Sequence, residues 1–312
     1  MLTVTQKKTA QAIVNIFETG SVLGDYGNVT LIQGDTGHLT FGRSQTTLGS
    51  GNLALLLEQY CANAGASFAS RIAPYLPRLA NRDLSLDNEA HLHNLLRATA
   101  DDSVMRETQD AFFDQVYWEP AVRAATRFGI RTPLGLAVAY DSKIHGSLGT
   151  MVTRTIESVG NLDDIGEREW VSAYVKVRGD WLRNHRRSDL RATVYRMDAL
   201  QRLIELDEWG LELPLVVRGL EISLAFLHSV PPKSFDGPLP GSRSLGLQSP
   251  LARGLDVRLL QLGLSAQGAD IKADGVFGKN SQKHLKVYQT ARGLPANGIA
   301  DPALAVQLAQ AA

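Results

Sequence analysis

Residues 10–42, AQAIVNIFETGSVLGDYGNVTLIQGDTGHLTFG, decide how the first part of the chain is read. Ala10, Ile13, Val14 and Phe17 recur at helical spacing until Gly20 stops the pattern, so Glu18 stands at a helix C-terminus. The partial negative charge there disfavours ionisation, which predicts a carboxyl shifted upward in the direction a general acid needs. Asn28-Val29-Thr30-Leu31-Ile32 then alternates like a half-buried strand, and Gln33-Gly34-Asp35-Thr36-Gly37 turns the chain into His38-Leu39-Thr40-Phe41-Gly42. Asp35 is expected at the exposed turn, ionised. One neutral and one charged carboxyl facing each other across a cleft is an arrangement that cleaves glycosidic bonds. Most acidic residues at turns and helix ends are only surface groups or caps, so the pair needs support from the rest of the chain.

Outward from this stretch, amphipathic periodicity predicts helices over Leu53–Ala62, Asp87–Ala98, Val104–Val116, Pro120–Arg127, Pro133–Ile144 and Trp170–Arg183. Good strand signals lie only near residues 28–42. The fold expected for the first domain, residues 1–230, is mainly α, an α+β arrangement with a small β element. A length of 312 residues accommodates a second domain. The net charge of zero gives no whole-molecule field favouring nucleic acid or a membrane surface. Cys61 is the single cysteine, so no intramolecular disulfide forms. No run of about 20 apolar residues predicts a membrane span, and the sequence as given shows no classical export signal. A substrate outside the cytoplasm then implies delivery by lysis, by a dedicated secretion machine, or with a signal that has been trimmed.

Residues 231–250, PPKSFDGPLPGSRSLGLQSP, hold five Pro, three Gly and four Ser, the composition of a linker. Residues 251–312 follow, with seven Lys or Arg against four Asp or Glu. They read Gly254-Leu255-Asp256-Val257-Arg258-Leu259-Leu260-Gln261, then Asp274-Gly275-Val276-Phe277-Gly278, Leu285-Lys286-Val287-Tyr288-Gln289 and Gly293-Leu294-Pro295-Ala296-Asn297-Gly298. This order closely resembles the type 1 peptidoglycan-binding domain, a small three-helix module. Val257, Leu260, Leu264, Leu285 and Tyr288 are expected to form its core. Asp270–Gly275 fails as a calcium loop, because its third position lacks an oxygen ligand and Ser281 stands where a bidentate Glu is needed.

Three stretches of the first domain resemble the chitosanases of glycoside hydrolase family 46, within the lysozyme-like superfamily. They are Glu18 with Gly34-Asp35, Thr40-Phe41-Gly42 and Gly49-Ser50-Gly51; then Asp102-Ser103-Val104-Met105-Arg106, Gln109-Asp110, Val116-Tyr117 and Pro120-Ala121; then Leu134-Gly135, Ala139-Tyr140-Asp141 and His145-Gly146. The resemblance implies Glu18 as general acid, Asp35 as general base, and Thr40 as a holder of the attacking water. It also implies inversion at the anomeric carbon, with carboxyls about 6.5–9.5 Å apart. It puts Asp141 in an ion network with arginines behind the glutamate, Arg196 being the first candidate partner and Arg187 and Arg191 the next. In the second stretch Val104, Phe112, Val116 and Tyr117 read as core and Asp102 as a cap.

The sequence departs from that pattern at Asn52, where the family places an aspartate that pairs with the amine of a glucosamine unit. An amide keeps hydrogen bonding but loses the charge, which favours an N-acetylated sugar. Tyr26 is a second substrate-binding candidate, through stacking, although Tyr26, Trp118, Trp181 and Trp209 are more commonly buried. His91 and His93 face different directions on a helix and no HExxH pattern occurs, so neither a metal nor any other cofactor is expected. His145 reads as a buried histidine near Asp141. The combined expectation is an inverting, monomeric cell-wall glycosidase cutting peptidoglycan, of the kind found in endolysins or antibacterial effectors, acting in the periplasm or outside the cell. A chitosanase carrying a wall anchor is the alternative, and a non-catalytic wall-binding protein the minor one.

Overall fold

The computed structural model describes residues 2–32, 34–43 and 45–311. They form two compact units, one from the chain up to Gly24 with Phe113–Ser229, the other from Asp25–Phe112 with the chain from Val230 onward. Both are mainly helical, with five short strands among the described residues. No helix among them is long and apolar enough to cross a membrane.

In the first unit the helix Val4–Thr19 begins at a capping box, where Thr3 Oγ1 accepts the Gln6 N–H and the Gln6 side chain accepts the Thr3 N–H. It ends at Gly20, which takes the left-handed conformation at φ 70° and donates its N–H to the Ile16 carbonyl. Its apolar stripe packs on the helix Pro133–Ile144, which starts at Thr132 as N-cap with Pro133 in the first turn. Every residue of that helix from Leu134 to Ser142 is buried, so Asp141 is carried into the core by its apolar neighbours. The helices Leu148–Val159, Glu167–Arg183 and Tyr195–Glu205 complete the shell. Leu215–Val217 and Leu220–Ile222 pair antiparallel across Arg218-Gly219, both at positive φ. Strands of three residues are too short for alternation to register, so the sequence reading found no hairpin here. Val116, expected in the core, is 38% exposed, because residues 114–118 run as a π-helical turn that rotates the following side chains out of α-helical phase.

The second unit carries a three-stranded antiparallel sheet, Val29–Thr30, Thr40–Phe41 and Thr46–Thr47, with Val29 opposite Phe41 and Thr40 opposite Thr47. Gly49 closes it tightly: a Cβ there would lie 2.2 Å from the Thr36 carbonyl oxygen. The helices Asn52–Cys61 and Ala90–Thr99 supply the core with Leu53, Leu57, Tyr60, Leu92 and Leu96. Asp102 caps the helix Ser103–Phe113 through the Val104 N–H and also accepts from Tyr60 Oη and the Ser67 N–H. The C-terminal helices Leu255–Ala266, Lys279–Ala291 and Pro302–Gln310 enclose Val257, Leu260, Leu264, Leu285 and Tyr288, the core read from sequence. Residues 231–250 form no helix or strand, yet Leu245 is buried and exchanges backbone hydrogen bonds with Ala300.

Candidate active site

Glu18 occupies the last turn of the helix Val4–Thr19, just after the buried Phe17, with its carboxylate at the surface of the first unit. Arg196 Nη2 donates to Glu18 Oε1 at 2.7 Å while its Nη1 donates to Asp141 Oδ1 at 2.8 Å. Arg178 Nη1 donates to the other oxygen of Asp141 at 2.5 Å. Asp141 and Arg178 are 0% exposed and Arg196 only 4%. Burial pushes the Asp141 carboxyl up, but the charges of Arg178 and Arg196 and the hydrogen bonds from both outweigh it and hold Asp141 below the usual carboxylate range. Arg196 is likewise penalised by burial and more than compensated by Asp141 and Glu18, so its guanidinium is firmly protonated. The result is a charged rod running from the core to the Glu18 carboxylate. Its guanidinium also opposes the partial negative charge of the helix end.

Tyr195 braces the same turn. Its hydroxyl donates to the Phe17 carbonyl at 2.7 Å, and its ring packs edge-on to Phe17 with centroids 6.2 Å apart. His145 lies just beyond Asp141, its pKa lowered first by burial and then by the Arg178 and Arg196 charges, so the imidazole near this network is neutral at physiological pH.

Asp35 lies exposed in the second unit, with its Oδ1 accepting the Gly37 N–H at 3.2 Å in an Asx turn. The turn is tied down from behind. Asp87 Oδ1 accepts the Leu39 N–H at 2.9 Å and its Oδ2 meets His38 Nδ1 at 2.8 Å, while His38 itself takes φ 58°. Leu31, Ile32, Asp35, His38, Asp87 and Asn88 help line an open cavity of about 610 Å³. Thr40 is buried in the central strand, its Oγ1 donating to the His38 carbonyl at 3.0 Å. Asn52 is half-buried at the first position of its helix, following Gly51 at φ 84°, and its N–H donates to Ser50 Oγ at 3.2 Å.

The structure therefore brings Glu18, Asp141 and Arg196 into one network and sets Asp35, Thr40 and Asn52 on one hairpin and the helix that follows it. Other candidates fall elsewhere. Arg187 pairs with Asp189 on the surface, and Arg191 donates to the carbonyls of His185 and Arg186, because the short helix Ser188–Arg191 is exposed and satisfies its cations locally. Tyr26 is only 6% exposed and its hydroxyl donates to Asp110 at 2.7 Å beside Arg43, so its ring offers no stacking face. Arg178, Tyr195 and Asp87 were missed. Arg178 had a readable signal: it is an arginine on the stripe Trp170, Val171, Tyr174, Val175 and Leu182, all buried.

Residues 12–215 match Glycosyl hydrolase family 46 and residues 253–308 match a peptidoglycan binding domain. The chain is 30% identical over 232 residues to a chitosanase of Bacillus subtilis (strain 168), covering 69% of this chain and 83% of that protein. Two solved structures are similar. A mutant chitosanase from Bacillus subtilis MY002 complexed with 6 GlcN has 28% identity and a TM-score of 0.56, over 70% of this chain and 96% of that one. A family 46 chitosanase of Gynuella sunshinyii in complex with chitotetraose has 25% identity and a TM-score of 0.57, over 72% and 99%. The chain belongs to glycoside hydrolase family 46, and it is a glycoside hydrolase with a C-terminal peptidoglycan-binding domain.

Proposed function

We propose that the enzyme is a chitosanase that hydrolyses β-1,4 bonds of chitosan with inversion. The observation that carries this is the chitosanase likeness, with the family match over residues 12–215 including Glu18, Asp35 and Thr40. Glu18 donates its proton to the glycosidic oxygen as the C–O bond breaks. Asp35 takes a proton from the water that attacks the anomeric carbon from the opposite face, and the Thr40 hydroxyl helps hold that water. Arg196, fixed by Asp141 and Arg178, sets the Glu18 rotamer, so the carboxyl is oriented before substrate arrives.

The comparisons favour this over the peptidoglycan reading drawn from sequence. That second reading keeps two supports, the C-terminal domain and the uncharged Asn52. Under either reading the protein acts at a bacterial wall or a wall-associated polymer. The test is parallel digestion of highly deacetylated chitosan and purified peptidoglycan by wild type and Glu18→Gln, with mass spectrometry of the products. Glucosamine oligomers, absent with the variant, are expected. Muropeptides with a new reducing end and intact chitosan would overturn the chitosanase assignment.

A further inference from the structure

The C-terminal domain is packed into the unit that carries Asp35 and Thr40. Its first helix, Leu255–Ala266, lies along the helix Ala90–Thr99. Leu262 is 0% exposed and belongs to the same apolar cluster as Leu39, Phe41, Leu92, Leu95 and Leu96. Asn94, on the helix Ala90–Thr99, spends its amide on the domain: Nδ2 donates to Ser265 Oγ at 3.0 Å and to the Ile271 carbonyl at 2.7 Å, and Oδ1 accepts the Ala273 N–H at 2.9 Å. Arg258, 2% exposed, donates to the carbonyls of Arg97 and Lys233, each at 2.5 Å, and its Nε lies 3.1 Å from Asp101 Oδ2. Asp101 Oδ1 also accepts the Phe235 N–H at 2.8 Å, which fastens residues 231–250 to the same surface.

A tethered binding module presents a polar, solvated face to its neighbour and moves relative to it by default. Here the contact is a shared apolar core threaded by buried polar groups that find partners across it: both Asn94 Nδ2 hydrogen bonds and the Arg258 donation to the Arg97 carbonyl exist only when the two parts are together, while Arg258 Nε and Asp101 Oδ2 face each other as an ion pair without a hydrogen bond. The similar chitosanase structures align over 96–99% of their own length to 70–72% of this chain, so those folds stand without a counterpart of this domain.

We propose that the peptidoglycan-binding domain has a second role in this protein, as a structural part of the catalytic unit that completes the core behind the Asp35 hairpin. The helix it seals begins three residues after Asp87, which holds the backbone of Leu39 and the ring of His38. Docking therefore braces the element that carries the base and the water-holding threonine.

Hydrogen exchange on the full chain tests this, comparing wild type with Asn94→Ala, Leu262→Asp and the exposed control Lys283→Glu. Asn94→Ala alters the catalytic side alone, and the loss of buried partners on the domain predicts exchange faster by roughly ten- to a hundredfold in residues 255–273. Leu262→Asp alters the domain alone and should speed exchange across residues 84–102 and in the 35–42 hairpin. Lys283→Glu should change neither region. Effects of Asn94→Ala confined to its own helix, or a Leu262→Asp protein whose residues 35–42 and 84–102 exchange at wild-type rates, would overturn the proposal, including the case in which the domain itself unfolds.

Discussion

Replacing Asp141 by Asn tests the charged rod behind Glu18. Both Asp141 oxygens accept from buried guanidiniums, at 2.5 Å from Arg178 and 2.8 Å from Arg196. Asparagine turns one acceptor into a donor that faces a donor, and it leaves a fully buried cation without its counter-charge. Breaking a buried pair in this way costs about 3–5 kcal/mol, a large share of the roughly 5–15 kcal/mol that holds a domain together. All four tryptophans, at 118, 170, 181 and 209, lie in the first unit, so their fluorescence reports that unit during urea unfolding. With a urea slope of about 1–3 kcal/mol per molar, the midpoint should fall by about 1–5 M. The pH dependence adds a signature. Asp141 is held below its unfolded value, so its contribution is complete above the unfolded pKa of about 4 and is lost as pH falls through the folded one. The gap between wild type and variant should be constant through neutral pH and should close in acid. A loss under about 1 kcal/mol at pH 7, or a gap that persists unchanged into strong acid, would refute the reasoning.

Glu18→Gln keeps the Arg196 hydrogen bond but removes the group proposed as proton donor. Turnover should drop by at least about 10²- to 10⁴-fold with stability changed by less than about 1 kcal/mol, as read by product formation and urea unfolding. Asn52→Asp should lower KM for glucosamine oligomers by about ten- to a hundredfold and leave acetylated oligomers unaffected, since it supplies a charge-assisted contact worth about 1.5–3 kcal/mol; equal KM values would remove position 52 from amine recognition. Burial pushes Asp101 up to about 7, against the pull of Arg258. A carboxyl raised on folding stabilises below its unfolded pKa and loses that contribution as pH rises through the folded value. Docking of the C-terminal domain should therefore loosen between about pH 4 and pH 7 and level off above; exchange in residues 255–273 that is slowest at pH 8, after correction for intrinsic rates, would contradict this.

What could be read from the letters follows what the physics writes locally. The helix ending at Gly20, the Asp35 turn and the apolar stripes of the C-terminal helices are each specified by residues close in sequence, so periodicity and turn chemistry expose them. Arg196 could be named only through resemblance. Arg178 went unnamed because a charged residue on an apolar helix face is normally discounted, when it marks a partner waiting in the core. The same resemblance put Arg187 and Arg191 next as partners, but they belong to a basic stretch, and such a stretch is usually solvated, as this one is. Tyr26 could not be told from a stacking residue, since the partner of its buried hydroxyl, Asp110, lies 84 positions away. Residues 231–250 have the composition of a linker, while what fastens them, Asp101, lies more than a hundred residues upstream.

The docking surface shows why such partners escape a reading by composition. An apolar cluster such as the one that joins Leu262 to Leu92 and Leu96 supplies attraction but tolerates rotation of one helix on the other, because many hydrophobic arrangements are near-equivalent. Asn94 and Arg258 remove that freedom. The Asn94 amide makes both of its Nδ2 hydrogen bonds only in the register that presents Ser265 and the Ile271 carbonyl together, and Arg258 makes its own only where the Arg97 and Lys233 carbonyls converge. Any other register buries unpaired polar groups at about 1–3 kcal/mol each, more for the charged one. The apolar residues thus set the strength of the contact and the polar ones its orientation. The orientation matters for function, because it fixes the face that the C-terminal domain presents to a polymer relative to the hairpin bearing Asp35.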